Sequence, residues 1–233
     1  MSPLPGLTPV RAALIGRGKM GRAVEALAGE HGVAVVAVLG REEPLDAAAL
    51  GAAEVAIEFT EPGAALANLR ACAAAGVPVV VGTTGWGGPT DALRAELVAL
   101  GARALWAANF SLGVNALLGA VGRLAGALAA AGFAPHLVET HHAAKRDAPS
   151  GTALALAEAA ALGPSAITSV RVGSVPGTHT LLFDAPFEQV RLTHEARDRR
   201  VFASGALVAA RWLAAPRAPG LYSMQDVLAT EAA

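Results

Sequence analysis

The sequence contains a single cysteine, Cys72, and few charged or aromatic side chains: of its 233 residues, 16% are charged and 4% are aromatic. One cysteine cannot form an internal disulfide, so we expect a reducing, cytoplasmic environment and a buried Cys72 on a helix. Eighteen basic residues oppose 19 acidic ones, for a formal net charge of −1. This balance provides no overall field to attract nucleic acid or an anionic membrane, and we expect neither as a partner.

The first ten residues, MSPLPGLTPV, have neither the basic start nor the apolar run of a signal peptide, and we expect a loose tail there. An uncharged stretch at residues 104–122 contains Asn109, Ser111 and Asn115. These polar residues favour a loop leading into a buried helix over a membrane span. Alanine enrichment accounts for the mean hydropathy of +0.47.

Short apolar segments alternate with helical segments through the first half of the chain. VRAALIG from Val10 and VAVVAVLG from Val33 are nearly all apolar and end at glycine, as expected of strands buried on both faces of a parallel sheet. The alternation continues through AAEVAIEFT, EPGAALANLRACAAAG, VPVVVGTTG, PTDALRAELVALG and ARALWAANF. It predicts a Rossmann-like, doubly wound parallel sheet of the α/β class.

The pattern changes after Asn109. A long helix is expected at about residues 111–131, followed by extended segments near 135–142, 167–173, 178–184, 187–195 and 199–204. Because no helices separate the last three segments, we expect a second, α+β domain built on a mixed or antiparallel sheet. The tail GLYSMQDVLAT is expected to return to the first domain.

A glycine motif, G-x-G-x-x-G, connects the first strand to the first helix. Gly16 permits a tight turn, Gly18 lets a pyrophosphate approach the backbone, and Gly21 lets the helix lie close to the sheet. Lys19 and Met20 complete the loop at the helix N-terminus, whose N–H groups favour phosphate. The motif predicts that NADH or NADPH binds the first domain; the alternative is a glycine-rich turn that serves packing only.

The second strand ends at Gly40, where a carboxylate usually holds the ribose 2′-hydroxyl. Arg41 could pair with a 2′-phosphate, which favours NADPH, whereas Glu42 could still reach a ribose. Arg41 could equally be a solvated loop residue. The choice between the two nucleotides stays open at this point.

The carboxyl ends of the next strands form the edge where the nicotinamide half of a dinucleotide would lie. EFT and GTTGW end the third and fourth strands, and AANFSLGVN crosses into the second domain, where it could form a cleft floor and part of a hinge. Ordinary turn glycines and threonine caps are the alternative. The cofactor-binding candidates from these segments are Phe59, Thr60, Gly82, Thr83, Thr84, Ala107, Ala108, Asn109 and Phe110.

The segment HHAAKRDAPSGTA concentrates polar groups in a chain that has few of them. His141 and His142 are neighbours, so on an extended backbone they point to opposite sides. Ser150, Gly151 and Thr152 open a helix that offers free amides and a hydroxyl cap. Together with Lys145, these groups suit a carboxylate substrate that undergoes proton transfer.

The same segment is compatible with two further roles. The histidine pair could bind a metal, but no third histidine, cysteine or carboxylate occurs at a convincing spacing, so we expect no metal site. The histidines and lysine could also be surface residues ahead of an ordinary helix start. The basic cluster RLTHEARDRR, residues 191–200, is expected on a wet strand face or subunit contact, and one of its arginines could line the cleft.

Taken together, these segments resemble the 4-hydroxy-tetrahydrodipicolinate reductases, or dihydrodipicolinate reductases, of the diaminopimelate route to lysine. The resemblance runs from about Val10 to the C-terminus and is carried, in order, by GRGKMG, EFTEPG, VVVGTTGW, AANFSLGVN, ETHHAAKRDAPSGTA, VPGTHTLLF, HEARDRRVFASGA and GLYSMQDVL. The run from the histidine pair to Thr152 is far more specific than the glycine motif.

The resemblance implies an enzyme that reduces a cyclic imine dicarboxylate with NADH or NADPH as two domains close. His141 is then the general acid and Lys145 the second catalytic group, while His142, Lys145, Ser150, Gly151 and Thr152 hold the substrate. From the change of pattern along the chain, we expect residues 1–108 plus 206–233 to form the dinucleotide-binding domain and residues 109–205 the substrate-binding domain. The second domain would also assemble a homotetramer through its open sheet.

The chain departs from the usual family pattern at two places. Its glycine loop is one residue shorter than G-x-x-G-x-M-G, and Gly40 replaces the acidic residue after the second strand. Two alternative functions remain: reduction of another small carboxylated imine, and a dinucleotide-sensing module without catalysis. The presence of His141, Lys145 and the Ser-Gly-Thr turn opposes the second.

Overall fold

The computed structural model of the protein describes residues 8–231. Most of the loose tail expected from the first ten residues therefore lies outside the described residues, and the first strand begins at Val10. The chain divides into two compact units, the first formed up to Phe110 and again from Phe202, and the second by Ser111–Val201.

The first unit is built on a six-stranded sheet in which every described pairing is parallel. The strands are β1 (Val10–Ile15), β2 (Val33–Leu39), β3 (Val55–Glu58), β4 (Val79–Val81), β5 (Arg103–Trp106) and β10 (Gly220–Tyr222), in the spatial order β10-β5-β4-β3-β1-β2. The helices are α1 (Lys19–Leu27), α2 (Ala47–Leu50), α3 (Pro62–Ala74), α4 (Asp91–Ala99), α7 (Arg200–Ala214) and α8 (Met224–Glu231). The Rossmann-like sheet predicted from the alternating pattern is confirmed.

The core of this unit follows from the composition of its strands. Central strands such as β3 and β4 are short and buried along their whole length, because helices cover both faces of a parallel sheet. Cys72 lies within this core, as expected, and burial raises the pKa of its thiol to about 12. The C-terminal tail also returns to this unit, since β10 pairs with β5.

The second unit contains a four-stranded mixed sheet with two helices, which confirms the α+β expectation. Its strands are β6 (Ala134–His141), β7 (Ile167–Arg171), β8 (Thr178–Ala185) and β9 (Glu188–Glu195), in the order β7-β6-β8-β9. Helices α5 (Leu112–Ala130) and α6 (Gly151–Ala159) pack their buried residues against Leu137, Leu181 and Phe183 of the sheet. Strand β7 is parallel to β6, and the other two pairings are antiparallel.

Helix α5 is the one element among residues 8–231 that is long and apolar enough to cross a membrane by length and composition. Core helices pass the same test, and Val121 and Ala125 of α5 do pack in the core of the second unit. Only part of the helix is buried. The buried helix expected here therefore packs one face in the core, and its other faces are not buried.

One predicted element is wrong. An extended segment is predicted at residues 199–204, but helix α7 starts at Arg200. Ala203, Ala206, Leu207 and Ala210 recur with helical spacing and are all buried, and this longer period outweighs the local alternation of charged and apolar residues. The Asp198 side chain accepts a hydrogen bond from the Arg200 backbone N–H at 2.7 Å, which stabilises the helix start.

Candidate active site

The glycine loop after β1 is shaped by two close backbone contacts and one open position. A Cβ atom on Gly16, whose φ is 109°, would lie 2.0 Å from the Phe59 carbonyl oxygen, and one on Gly21 would lie 2.0 Å from the Gly16 carbonyl oxygen. A Cβ on Gly18 would meet no atom within 4 Å. The first and third glycines are therefore required for packing, whereas the second leaves the space that a pyrophosphate needs.

Helix α1 begins directly after this open position, with Gly18 as its N-cap and no side-chain cap hydrogen bond. Lys19 and Met20 form its first turn, as expected. A helix N-terminus with uncapped amides binds anions well, so the local structure fits the phosphates of a dinucleotide.

A cavity of about 570 Å³ adjoins the loop at the carboxyl ends of β1, β2 and β3. It brings together five of the predicted cofactor residues: Gly16, Gly18, Arg41, Phe59 and Thr60. It is also lined by Arg17, Gly40, Glu42, Glu43 and Glu61.

Glu58, at the end of β3, is a fully buried carboxylate that the sequence reasoning did not single out. Its Oε1 atom accepts hydrogen bonds from the hydroxyls of Thr60 and Thr83 and, at 3.3 Å, from the Asn68 side-chain amide. The Thr83 hydroxyl also accepts a hydrogen bond from the Thr60 backbone N–H at 2.8 Å. These bonds tie the EFT loop to the GTTG loop, so the two predicted segments form one assembly.

The remaining candidates of the first unit surround the Phe59 ring. A Cβ on Gly82 would lie 2.0 Å from this ring, and the Phe110 ring contacts it edge-on at a centroid distance of 5.8 Å. Thr84 and Ala108 are exposed, Asn109 is half-buried, and Ala107 is buried. The first unit therefore places the end of AANF beside the ends of β3 and β4.

The buried face of β6 carries the second cluster of polar groups. Residues alternate along a strand, so Leu137, Glu139 and His141 share the face that packs beneath the helices, and His142 follows just past the end of the strand. The His141 Nδ1 atom lies 2.5 Å from Glu139 Oε2, and the Arg171 guanidinium donates to Glu139 Oε1 at 2.7 Å. The Ser150 backbone N–H lies 3.3 Å from the same Oε1 atom.

These contacts decide the charges of the cluster. Burial alone would raise the pKa of Glu139, but hydrogen bonds from Ser169, Arg171 and Ser150 lower it to about 2. Burial lowers the pKa of His141, and the positive charges of Lys145 and Arg171 act in the same direction against the opposing effect of Glu139. Glu139 is therefore ionised and His141 is largely neutral at pH 7.

The 2.5 Å contact with an ionised Glu139 favours the tautomer of neutral His141 that carries its proton on Nδ1, which leaves the lone pair of the ring on Nε2. Gly177 faces this second nitrogen, because a Cβ placed on Gly177 would lie 3.0 Å from His141 Nε2. The glycine thus keeps room beside the atom that would exchange a proton with a ligand.

His179 extends the cluster from β8. Its ring contacts the His141 ring edge-on at 5.2 Å, and its Nε2 atom is 3.2 Å from the Ser150 hydroxyl. Burial lowers the pKa of His179 to about 4, so this ring is neutral at pH 7.

The structure brings two further potential metal ligands to His141, although not to the pair of His141 and His142. Ligand atoms of Glu139, His141 and His179 lie within 4.8 Å of one another, because β8 brings His179 to β6 although it is distant in sequence. Arg171 already neutralises Glu139 in this arrangement. The expectation that the protein uses no metal stays a prediction.

The substrate-binding candidates line the turn between β6 and α6. Ser150 caps α6, its hydroxyl accepting from the Ala153 N–H at 3.2 Å, and Gly151 is exposed in the first turn beside half-buried Thr152. The Lys145 ammonium group donates to Asp147 at 2.8 Å. A cation thus lies in the same turn that presents the amides of a helix N-terminus, a combination suited to a carboxylate.

Arg171 from β7 joins this cluster, whereas the expectation that an arginine of residues 191–200 lines the cleft stays a prediction. In that basic segment Arg191 binds Gln189 and Arg200 binds Asp198. The structure thus adds Glu139, Arg171 and His179 to the groups that the sequence reasoning had identified.

Family models match the chain in two parts: the N-terminal part of dihydrodipicolinate reductase matches residues 10–110, and its C-terminal part matches residues 113–228. This chain belongs to the dihydrodipicolinate reductase family. The 4-hydroxy-tetrahydrodipicolinate reductase of Thiobacillus denitrificans is 40% identical, over 94% of this chain and 98% of that protein. The reductase of Caulobacter vibrioides is 39% identical, over 94% of this chain and 97% of that protein.

A solved structure supports the fold of this family member. Dipicolinate-bound dihydrodipicolinate reductase from Paenisporosarcina sp. TG-14 superposes with a TM-score of 0.74 at 24% identity, covering 92% of this chain and 97% of that one. The resemblance carried by the sequence motifs is therefore confirmed at the level of family and fold.

Proposed function

We propose that this chain reduces 4-hydroxy-tetrahydrodipicolinate to tetrahydrodipicolinate with NADH or NADPH, in the diaminopimelate route to lysine. Membership of the reductase family makes it an oxidoreductase that acts on a small molecule. The observation that carries the proposal is the buried pair of Glu139 and His141 in the same unit as Lys145 and the N-terminus of α6.

The substrate carries two carboxylates, and a protein with a net charge of −1 must attract them locally. Lys145 supplies positive charge for this purpose, Lys145 and His142 supply hydrogen-bonding groups, and the Ser150 cap orients the first turn of α6. The backbone amides of Gly151 and Thr152 then face a carboxylate at the positive end of the helix dipole. These residues bind and orient the substrate.

His141 supplies the proton. Its Nδ1 atom is held by Glu139, so Nε2 is the atom that gains and loses the catalytic proton. The free protein keeps this imidazole largely neutral, and a bound dianion raises its pKa by charge attraction, so that substrate binding itself promotes protonation of the acid. Lys145 neutralises charge as the 4-hydroxyl group leaves as water with a proton from the adjacent ring carbon, and as the resulting ring takes up the hydride and the proton from His141.

The glycine loop, Arg41 and the assembly of Phe59, Thr60, Thr83 and Phe110 hold the dinucleotide, together with Gly82, Thr84 and residues 107–109. When bound, the dinucleotide supplies the hydride. This unit fits the cofactor because the backbone leaves open space at Gly18 and packs closely at Gly16 and Gly21, and because the N-terminus of α1 has no side-chain cap. We accordingly propose that the first unit is the dinucleotide-binding domain and that Ser111–Val201 is the substrate-binding domain, within a few residues of the expected bounds of 1–108 plus 206–233 and 109–205.

A homotetramer in the cytoplasm completes the proposal. Both helices of the second unit pack on one face of its sheet, and Val170 on β7 and Val172 just after it are 38% and 51% exposed. The uncovered sheet face is therefore the surface through which copies would associate. Light scattering coupled to size-exclusion chromatography measures the subunit number.

The assay for the function mixes the purified protein with NADH or NADPH and the condensation product of pyruvate and aspartate semialdehyde. Loss of nicotinamide absorbance is expected with at least one nucleotide. A flat trace with both nucleotides would reject this reaction and favour another carboxylated imine as substrate or a non-catalytic sensing module. Nucleotide binding without turnover of other imines would favour the module.

A further inference from the structure

Glu43, in the loop after β2, occupies the place that a side chain at residue 40 would take. Its Oε2 atom accepts a hydrogen bond from the Gly40 backbone N–H at 2.8 Å. A Cβ built on Gly40 would lie 2.8 Å from this same oxygen. The carboxylate that the sequence lacks at the end of β2 is therefore supplied from three residues further along the chain.

The position of this carboxylate is fixed on both sides. Glu43 Oε1 pairs with Arg17 of the glycine loop at 2.7 Å, and Arg17 also donates to the Val38 carbonyl oxygen at 2.9 Å. A carboxylate has about four acceptor positions, so these two contacts leave capacity for the hydroxyls of a ribose. The Glu43 side chain is 38% exposed and lines the cavity beside the glycine loop.

We propose that Glu43 binds the adenosine ribose through its 2′-hydroxyl and thereby makes this enzyme selective for NADH over NADPH. This inference rests on the proposed cofactor site. A carboxylate accepts hydrogen bonds from the hydroxyl of NADH, whereas it repels the doubly charged 2′-phosphate of NADPH at the same position.

The charges around the cavity favour the same choice. Arg41, the residue that would meet a 2′-phosphate, pairs with Glu61 at 2.6 Å, and Arg17 pairs with Glu43. Both arginines that line the cavity are thus matched by carboxylates, and Glu42 adds a third acidic group to the lining. A 2′-phosphate would therefore bring further negative charge to a lining that already holds three carboxylates.

The test measures binding of NADH and NADPH to the full chain by isothermal titration calorimetry, without substrate. Wild type is expected to bind NADH at least tenfold more tightly than NADPH, the effect of one charge-assisted hydrogen bond. Glu43→Gln should lose roughly this factor for NADH while its affinity for NADPH stays the same or increases. Glu25→Gln, on the exposed face of α1, is the control and should keep the wild-type preference.

A second variant separates a need for the carboxylate from a need for the loop conformation. Gly40→Asp combined with Glu43→Ala returns an acid to the end of β2, and the space vacated by Glu43 admits it. Recovery of the NADH preference supports the proposal, and no recovery with a protein of unchanged thermal stability overturns it.

The remaining outcomes distinguish this inference from the function on which it rests. The role of Glu43 is overturned if wild type binds NADPH as tightly as NADH or more tightly. It is also overturned if Glu42→Gln, and not Glu43→Gln, loses the preference for NADH. Both outcomes leave the reductase function intact. Failure of wild type to bind either nucleotide contradicts the cofactor site itself.

Discussion

The Nδ1 atom of His141 lies 2.5 Å from the Oε2 atom of Glu139, on the buried face of one strand. Arg171 holds the other carboxylate oxygen at 2.7 Å, so the acid remains ionised and orients the imidazole. This chain of arginine, glutamate and histidine fixes which ring nitrogen can exchange a proton with substrate. Glu139 is therefore a positioning residue that acts through His141.

Replacing Glu139 by Gln should lower kcat about 10- to 100-fold with little change in KM, because the ring loses its orientation but the groups that hold the carboxylates remain. The pKa of His141 should also fall, since Glu139 is the group that raises it. Steady-state kinetics over a range of pH measures both effects. Glu158→Gln, exposed on α6, is the matched control, and an unchanged pH profile in Glu139→Gln would show that the carboxylate serves stability alone.

His141 and Lys145 should respond differently to replacement. His141→Gln removes the proton donor and should reduce kcat about 10²- to 10⁴-fold with a nearly unchanged KM. Lys145→Met removes a charge that both binds the substrate and stabilises the transition state. We therefore expect kcat to fall and KM to rise by roughly tenfold or more. Arg146→Met deletes the adjacent exposed cation and should alter neither constant. Equal effects of the Lys145 and Arg146 variants would mean that only general positive charge matters.

The pH dependence should carry the signature of a depressed histidine pKa. The acid must be protonated to act, so kcat/KM should fall as pH rises through the pKa of His141 in the free protein, which lies below the usual 6.5. The fall in kcat should occur at higher pH, because the bound dianion raises that pKa. Coincident falls in kcat and kcat/KM would contradict charge coupling between the substrate and His141.

Stability should decrease on acidification through His179, whose pKa is about 4 in the folded protein and 6.5 ordinarily. The unfolded chain then binds a proton that the folded chain excludes, so stability is complete above pH 6.5 and falls as pH decreases toward 4, by about 2 kcal/mol at roughly pH 5. Urea unfolding between about pH 8 and about pH 5 stays above the range in which Glu139 titrates. His179→Gln should show a shallower slope than His136→Gln, in which a half-buried histidine that contacts Thr168 is replaced.

Much of the fold follows from local patterns. Buried runs that end at glycine predict the parallel strands, and the glycine motif predicts the loop whose close contacts at Gly16 and Gly21 the structure displays. The start of α7 was not predicted, because charged and apolar residues alternate at its N-terminus as they do in a strand. The helical spacing is visible only in its buried residues.

The rest of the active-site cluster depends on strand register, which a single sequence does not reveal. Glu139 pairs with His179 across an antiparallel ladder, and His141 pairs with Arg171 across a parallel one. Only Glu139 left a signal in the sequence, since it precedes His141 by two residues and thus shares its face of the strand. Glu43 was hidden for a similar reason, because the loop must fold back before its carboxylate reaches Gly40.

The most direct measurement is a crystal structure of the protein with an oxidised dinucleotide and dipicolinate bound together. The proposed mechanism requires the Nε2 atom of His141 within hydrogen-bond distance of the heterocycle, with Nδ1 still on Glu139 and a ligand carboxylate on Lys145 and the first amides of α6. An imidazole turned away from the heterocycle into bulk solvent would contradict it.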